Sequence, residues 1–475
     1  MPVTTGIEPF GEAFRQVLPN GLALIFRRVK RLPMVRLRAA VRAGGVEDGV
    51  DCAGLAAFTL ALLSTGTHSR DEEALAAGFA DLGAELHLEP GRDWIEAGTR
   101  VLSVDLDPAL RLLADVLLRP ALAEEKAGRV LSELRAERQG NLAEPPYRLE
   151  QAFHRAIYPD HPYGCPLRGD DVSLSRLTRD HAVALHQACY RPERAVLVGV
   201  GDIEPGRFFA AAAEVFSDWA AAASVLGVPA GPDVQDHLSA EGENVGASRA
   251  GGALTGGALH AAQPSGQETT AVPVVYFDAQ PDLTQANLRL GCPAIGRAHS
   301  DWDLLSVANY VLGGAGLASR ICDRVRTRHG LAYTAGSRIV PQRLAGPFFA
   351  HAQTKNASFR LAVDLIREEI SRLTREQIGA EELETARRQY AGALLFRAET
   401  AAGIASALIE AELYKLGPDH QQRQLETVRV AAAEEVLAAA ARHLQLPRMS
   451  LVVVGEPDAL AGQLNELGEV TGIRP

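Results

Sequence analysis

The chain is built on one plan used twice, and that doubling constrains its fold more than any single motif. Near the middle lies AGPDVQDHLSAEGENVGASRAGGALTGGALHAAQPSGQETT, Ala230–Thr270, rich in Gly, Ala and Ser. It has no sustained hydrophobic period, which predicts a flexible linker or long loop. The flanks resemble each other. Each opens with strand-like runs, GLALIFRRV then MVRLRAAVRAGG in the first and PVVYFDA then ANLRLGCPAIG in the second. Each passes through long periodic helices, DPALRLLADVLLRPALAEEKAGRVLSELRAERQG and SFRLAVDLIREEISRLTREQIGAEELETARRQYAGALLF. Each closes on a β-branched run ending at Gly-acid, RAVLVGVGDI and MSLVVVGEPD. The expectation is an α+β protein of two homologous domains, 1–229 and 273–475, joined by a linker over 230–272. Each domain is expected to be an antiparallel sheet covered by helices.

Bulk properties narrow the function. A net charge of −11 argues against a nucleic-acid surface, which needs a basic footprint. No run approaches the roughly 18 uncharged apolar residues of a membrane span, and MPVTTGIEPFGEAF lacks the basic and apolar regions of a signal peptide. A cytoplasmic location is expected. The five cysteines, Cys52, Cys165, Cys189, Cys292 and Cys322, are far apart and show no CxxC spacing, which predicts reduced thiols.

One helical stretch is peculiar. GLAAFTLALLSTGT, Gly54–Thr67, carries no charge and ends on a polar stop. By itself it reads as core. Together with LPNGLALIF before it and RVLSELRAERQGNLAEPPYRLEQAFHRAIYPDHPYGCPLRGD after it, it resembles the pitrilysin/insulinase-type zinc peptidases. The second half resembles them too, in VLGGAGLASRICDRVRTRHGLAYTAGS. The likeness spans almost the whole chain and is nearest the branch of about 50 kDa chains that includes mitochondrial processing peptidase. In that family the helix carries HxxEH, in which two His bind zinc and the Glu is general base on the metal-bound water. Gly54, Leu55, Ala56, Phe58, Leu63, Gly66 and Thr67 match the motif's frame, while the ligand positions hold Ala57 and Ala61 and the base position holds Leu60. Glu133 fits the third-ligand place, where a helix carboxylate without a metal is an equally good reading. One carboxylate cannot hold zinc. His181 and His186, five apart, face different sides of a helix and read as surface or packing residues.

The resemblance also points to Arg326 and Tyr333, seven residues apart in DRVRTRHGLAYTAG. In the family such a pair binds substrate main chain and supports the oxyanion at the scissile carbonyl, a cation and a phenol aimed at developing charge. Without the family context, Tyr333 reads as a strand-start residue and Arg326 as a solvated one. Val311–Arg320 is a Gly-rich turn without the GK[ST] of a P-loop. The resemblance therefore implies a non-catalytic subunit, with no cofactor of its own and no independent activity. Its expected partner is a homologous chain that bears HxxEH and zinc, and its substrate an extended peptide. A structural assembly subunit and a stand-alone peptide-binding clamp are the other readings.

Overall fold

The computed structural model describes residues 3–5, 10–219 and 274–474, so the expected linker lies outside the described residues. Both flanks of it belong to one compact unit. The first half carries β1 (Val3–Thr5), β2 (Ala13–Val17), β3 (Ala23–Arg28), β4 (Met34–Val41), β5 (His87–Pro90), β6 (Ile95–Leu102) and β7 (Ala195–Gly201). The second carries β8 (Val274–Ala279), β9 (Gln285–Pro293), β10 (Ala332–Ile339), β11 (Pro347–Lys355), β12 (Ser450–Gly455) and β13 (Val470–Gly472).

The doubled plan is visible in the topology. The first sheet runs β1-β2-β3-β7-β4-β6-β5 and the second β10-β11-β9-β12-β8-β13. Five strands of each, taken in chain order, occupy the same relative places, β3-β7-β4-β6-β5 against β8-β12-β9-β11-β10. The expected α+β class with two homologous halves is what the structure shows. The sheets are mixed rather than wholly antiparallel: β7 lies parallel to β3, and β12 parallel to β8. Strand direction leaves little trace in a sequence, but burial on both faces does. A strand covered on both sides reads as an unbroken apolar run, and AVLVGVG of β7 is buried at every position.

What covers the second face is the other half. In each half five α-helices lie between the fourth and fifth of these strands, and the third of the five crosses over. The helix Ala401–Leu413 packs Ile404, Ala405 and Ile409 onto Ile25, Val196, Val198 and Val200 of the first sheet. The helix Pro145–Ile157 packs Ala152, Phe153 and Ala156 against Val452 and Val454 of the second. A buried carboxylate joins the halves between these helices. Asp93 accepts hydrogen bonds from the hydroxyls of Tyr163 and Tyr414, the latter at 2.9 Å, and from the backbone N–H of Arg343 at 2.7 Å.

The long periodic stretches each divide in two. The first breaks between Leu106–Leu118 and Glu124–Asn141 at Pro120, which can supply no helical N–H. The second breaks between Phe359–Arg375 and Ala380–Arg397, ahead of Gly379. No single helix among the described residues is long and apolar enough to cross a membrane.

Candidate substrate-binding cleft and the altered zinc-site helix

The helix Leu55–Leu63 forms as the family motif requires, without its chemistry. Gly54 starts it at φ +89°, where a Cβ would stand 2.6 Å from the Gly169 nitrogen, so only glycine fits. The buried Asp48 carboxylate accepts from the N–H groups of Gly54 (2.9 Å) and Ala56 (2.7 Å), capping the helix start. Burial holds this carboxyl well above the usual carboxylate range, against the pull of those hydrogen bonds. Thr65 closes the far end by donating to the Leu62 carbonyl at 2.8 Å.

Ala57 and Leu60 are 3% and 2% exposed, and Ala61 is half-buried. Hydrocarbon fills the places where ligands and base would stand. Glu133 sits on the neighbouring helix Glu124–Asn141, but its side chain is 58% exposed and accepts from Arg129 at 2.8 Å. Arg129 also grips Glu72 with a second nitrogen, at 2.7 and 2.8 Å. The third-ligand position is thus part of a surface ion cluster. These residues do not fit a zinc ion. His181 closes a capping box with Thr178, and His186 donates to the Leu117 carbonyl at 2.9 Å while stacking on Tyr190, so both serve structure. Among the described residues three potential ligands meet elsewhere, at His299, Asp301 and His443, where Arg442 pairs with the Asp301 carboxylate.

The second half keeps a cleft of about 800 Å³, and both Arg326 and Tyr333 line it. A π-helical turn, Cys322–Arg328, carries Arg326. Gly330, at φ +63°, then reverses the chain into β10, the edge strand on which Tyr333 stands. The turn is tied down twice. Gly330 N–H donates to the Arg326 carbonyl at 3.0 Å, and Leu331 N–H to that of Val325 at 2.9 Å. Arg324 of the same turn reaches Glu369, a carboxylate 1% exposed on the helix Phe359–Arg375, at 2.8 Å. The Arg326 guanidinium carbon lies 5.2 Å from the Tyr333 ring centroid, and Tyr333 is 76% exposed. Arg326 has no ion pair among the described residues, so its charge is open to a ligand.

The Gly-rich segment forms another π-helical turn, Tyr310–Gly314, against β10. A Cβ on Gly313 would overlap the Ser337 backbone nitrogen, and the Ser337 hydroxyl donates to Asn309 Oδ1 at 2.8 Å. The glycine is needed for close approach of turn to strand. The cleft floor holds residues that no motif pointed to, among them Arg289 of β9, Arg338 of β10 and His351 of β11. Their only trace in the sequence is a polar residue breaking an apolar run, as in ANLRLGC and FFAHAQ. Burial and the nearby Arg289 and Arg338 push the His351 imidazole down to about 4.

Comparison with known proteins agrees with this geometry. Residues 30–171 match the sequence model described as Insulinase (Peptidase family M16), and residues 176–390 the one described as Peptidase M16 inactive domain. A protein of Mycobacterium tuberculosis, described as an uncharacterized zinc protease, is 27% identical over 93% of this chain and 92% of its own. Another so described, from Rickettsia felis, is 22% identical over 81% of this chain and 84% of its own. The crystal structure of a peptidase M16 inactive domain from Pseudomonas fluorescens superposes with a TM-score of 0.77 at 26% identity, covering 94% of this chain and 98% of that one. A protease from Helicobacter pylori shares the fold, with a TM-score of 0.76 at 15% identity, covering 96% of this chain and all of that one. The chain belongs to peptidase family M16, the pitrilysin/insulinase family, and its zinc-site helix lacks the ligands.

Proposed function

We propose that this chain is the non-catalytic subunit of a two-chain metallopeptidase. In this reading a homologous partner carries HxxEH and its zinc. This chain completes the chamber around an extended peptide, which would add to the free edge of β10. The observation that carries the reading is the pairing of Arg326 with Tyr333 at the cleft, in a chain whose Ala57, Leu60 and Ala61 bear no ligand atoms. Arg326 would hold a main-chain carbonyl by charge, and the Tyr333 hydroxyl would donate to the oxygen as negative charge grows on it.

The test is a complex reconstituted with an HxxEH-bearing relative and assayed on a fluorogenic peptide. Tyr333→Phe is expected to lower turnover by about 10²–10³, the usual cost of one oxyanion donor, with assembly by size-exclusion chromatography unchanged. Normal assembly with unaltered cleavage by both Tyr333→Phe and Arg326→Ala would make the chain a scaffold. Failure of any HxxEH chain to bind would favour the stand-alone clamp.

A further inference from the structure

We propose that the cleft floor is a carboxylate-binding subsite, selecting peptides that present an acidic side chain or a free C-terminal carboxylate. The inference rests on the reading of the cleft as a peptide chamber and names the chemistry of what enters it. Three strands build the floor. Register sets Arg289 of β9 beside His351 of β11, and His351 beside Gly336 of β10. Arg338, two residues beyond Gly336, points to the same face, because side chains alternate along a strand. Gly336 adds no side chain beside the imidazole: a Cβ there would stand 3.3 Å from the His351 ring and 2.9 Å from the Gly313 carbonyl oxygen.

Charge decides what fits. Five arginines line the cleft, Arg289, Arg297, Arg326, Arg338 and Arg397, against one carboxylate, Glu410. Glu410 is already taken by Arg297 and by Arg397, the latter at 3.6 Å. Among the described residues Arg289 has only a distant partner, Glu150 at 3.9 Å, itself half exposed. Arg338, like Arg326, makes no ion pair among the described residues. Cations are thus left over inside a molecule whose net charge is −11. Low-dielectric walls concentrate that local field.

Geometry favours a planar anion. The Arg289 guanidinium carbon lies 4.3 Å from the Phe349 ring centroid and 5.7 Å from that of Phe153, and a guanidinium can grip a carboxylate with two N–H groups at once. The His351 Nδ1 is buried with no hydrogen-bond partner. As a neutral imidazole, His351 has one N–H to donate.

The test measures binding of four fluorescein-labelled peptides of equal length to the full chain by anisotropy: Glu-containing and amidated, neutral and amidated, neutral with a free C-terminus, and Lys-containing and amidated. The Glu-containing or the free-acid peptide is expected to bind at least about tenfold tighter than the neutral amide at low salt, as one charge-assisted contact allows. Which of the two gains shows the source of the carboxylate. The advantage should shrink with added salt. Arg338→Glu, at an exposed edge position, should erase the advantage of the acidic over the neutral peptide. Arg289→Gln should weaken it, with folding checked by circular dichroism. Equal affinity for neutral and acidic peptides would overturn the subsite and leave the peptide chamber standing. Preference for the Lys-containing peptide, or displacement by inorganic phosphate as readily as by free acidic peptide, would also overturn it. Failure to bind any of the four would overturn both the subsite and the clamp reading, and the partner-binding assay would then decide the chamber.

Discussion

At the scale of single residues, the lost chemistry is legible in the sequence and the surviving chemistry less so. Ala57, Leu60 and Ala61 announce themselves because the frame around them matches a motif. Burial adds that the site has been refilled with hydrocarbon, so the motif's residues would now be misfits. Leu60→Glu should cost about 3 kcal/mol or more at neutral pH, since a carboxylate there loses hydration with no partner in place. Urea denaturation reads the loss, which should ease at low pH as the carboxyl protonates. Glu133→Gln should change stability by about 0.5 kcal/mol or less, because its ion pair is solvated. His351 could not be found from sequence. A lone histidine in a strand has no motif, and two arginines on other strands set its environment. Its folded pKa of about 4 lies below the unfolded value of about 6.5. The unfolded chain therefore binds more protons between these values, and stability is lost as pH falls through that window. His351→Gln should flatten this part of the curve of melting temperature against pH.

At the scale of elements, the residue pattern located β3, β4, β7, β8, β9, β12 and the Gly-rich turn, but not β5, β6 or β11, nor which strand pairs with which. MSLVVVGEPD and RAVLVGVGDI were readable as a repeated strand, whereas their parallel pairing depends on crossovers that residue pattern does not encode. The turn VLGGAGLASR was readable as needing glycine, but the reason is a contact with Ser337 on a strand not yet formed at that point of the chain. That contact yields a paired prediction. Gly313→Ala must push the turn off β10, and should lower the melting temperature and weaken peptide binding together. Gly392→Ala, in the helix Ala380–Arg397 with open space around it, should instead stabilise by about 0.5–1 kcal/mol. Calorimetry and anisotropy on the two variants separate crowding from backbone entropy.

At the scale of the whole molecule, the two halves foreseen in the sequence are real in topology yet joined in packing. Each sheet has one face closed by the other half's helix, a fact that no local pattern contains, because the apolar stripe of Pro145–Ile157 does not say which sheet it will meet. Segments 1–229 and 273–475 expressed separately should expose those faces and aggregate, while co-expressed segments should associate into a soluble complex, as affinity co-purification would show. The same exchange bears on how such a molecule changes over generations. A chain organised in this way is a swapped dimer whose two copies have been made inseparable. Mutations that retire the chemistry of one copy leave untouched the helix by which it props up its sibling. Catalysis can be surrendered at one end without surrendering the shape.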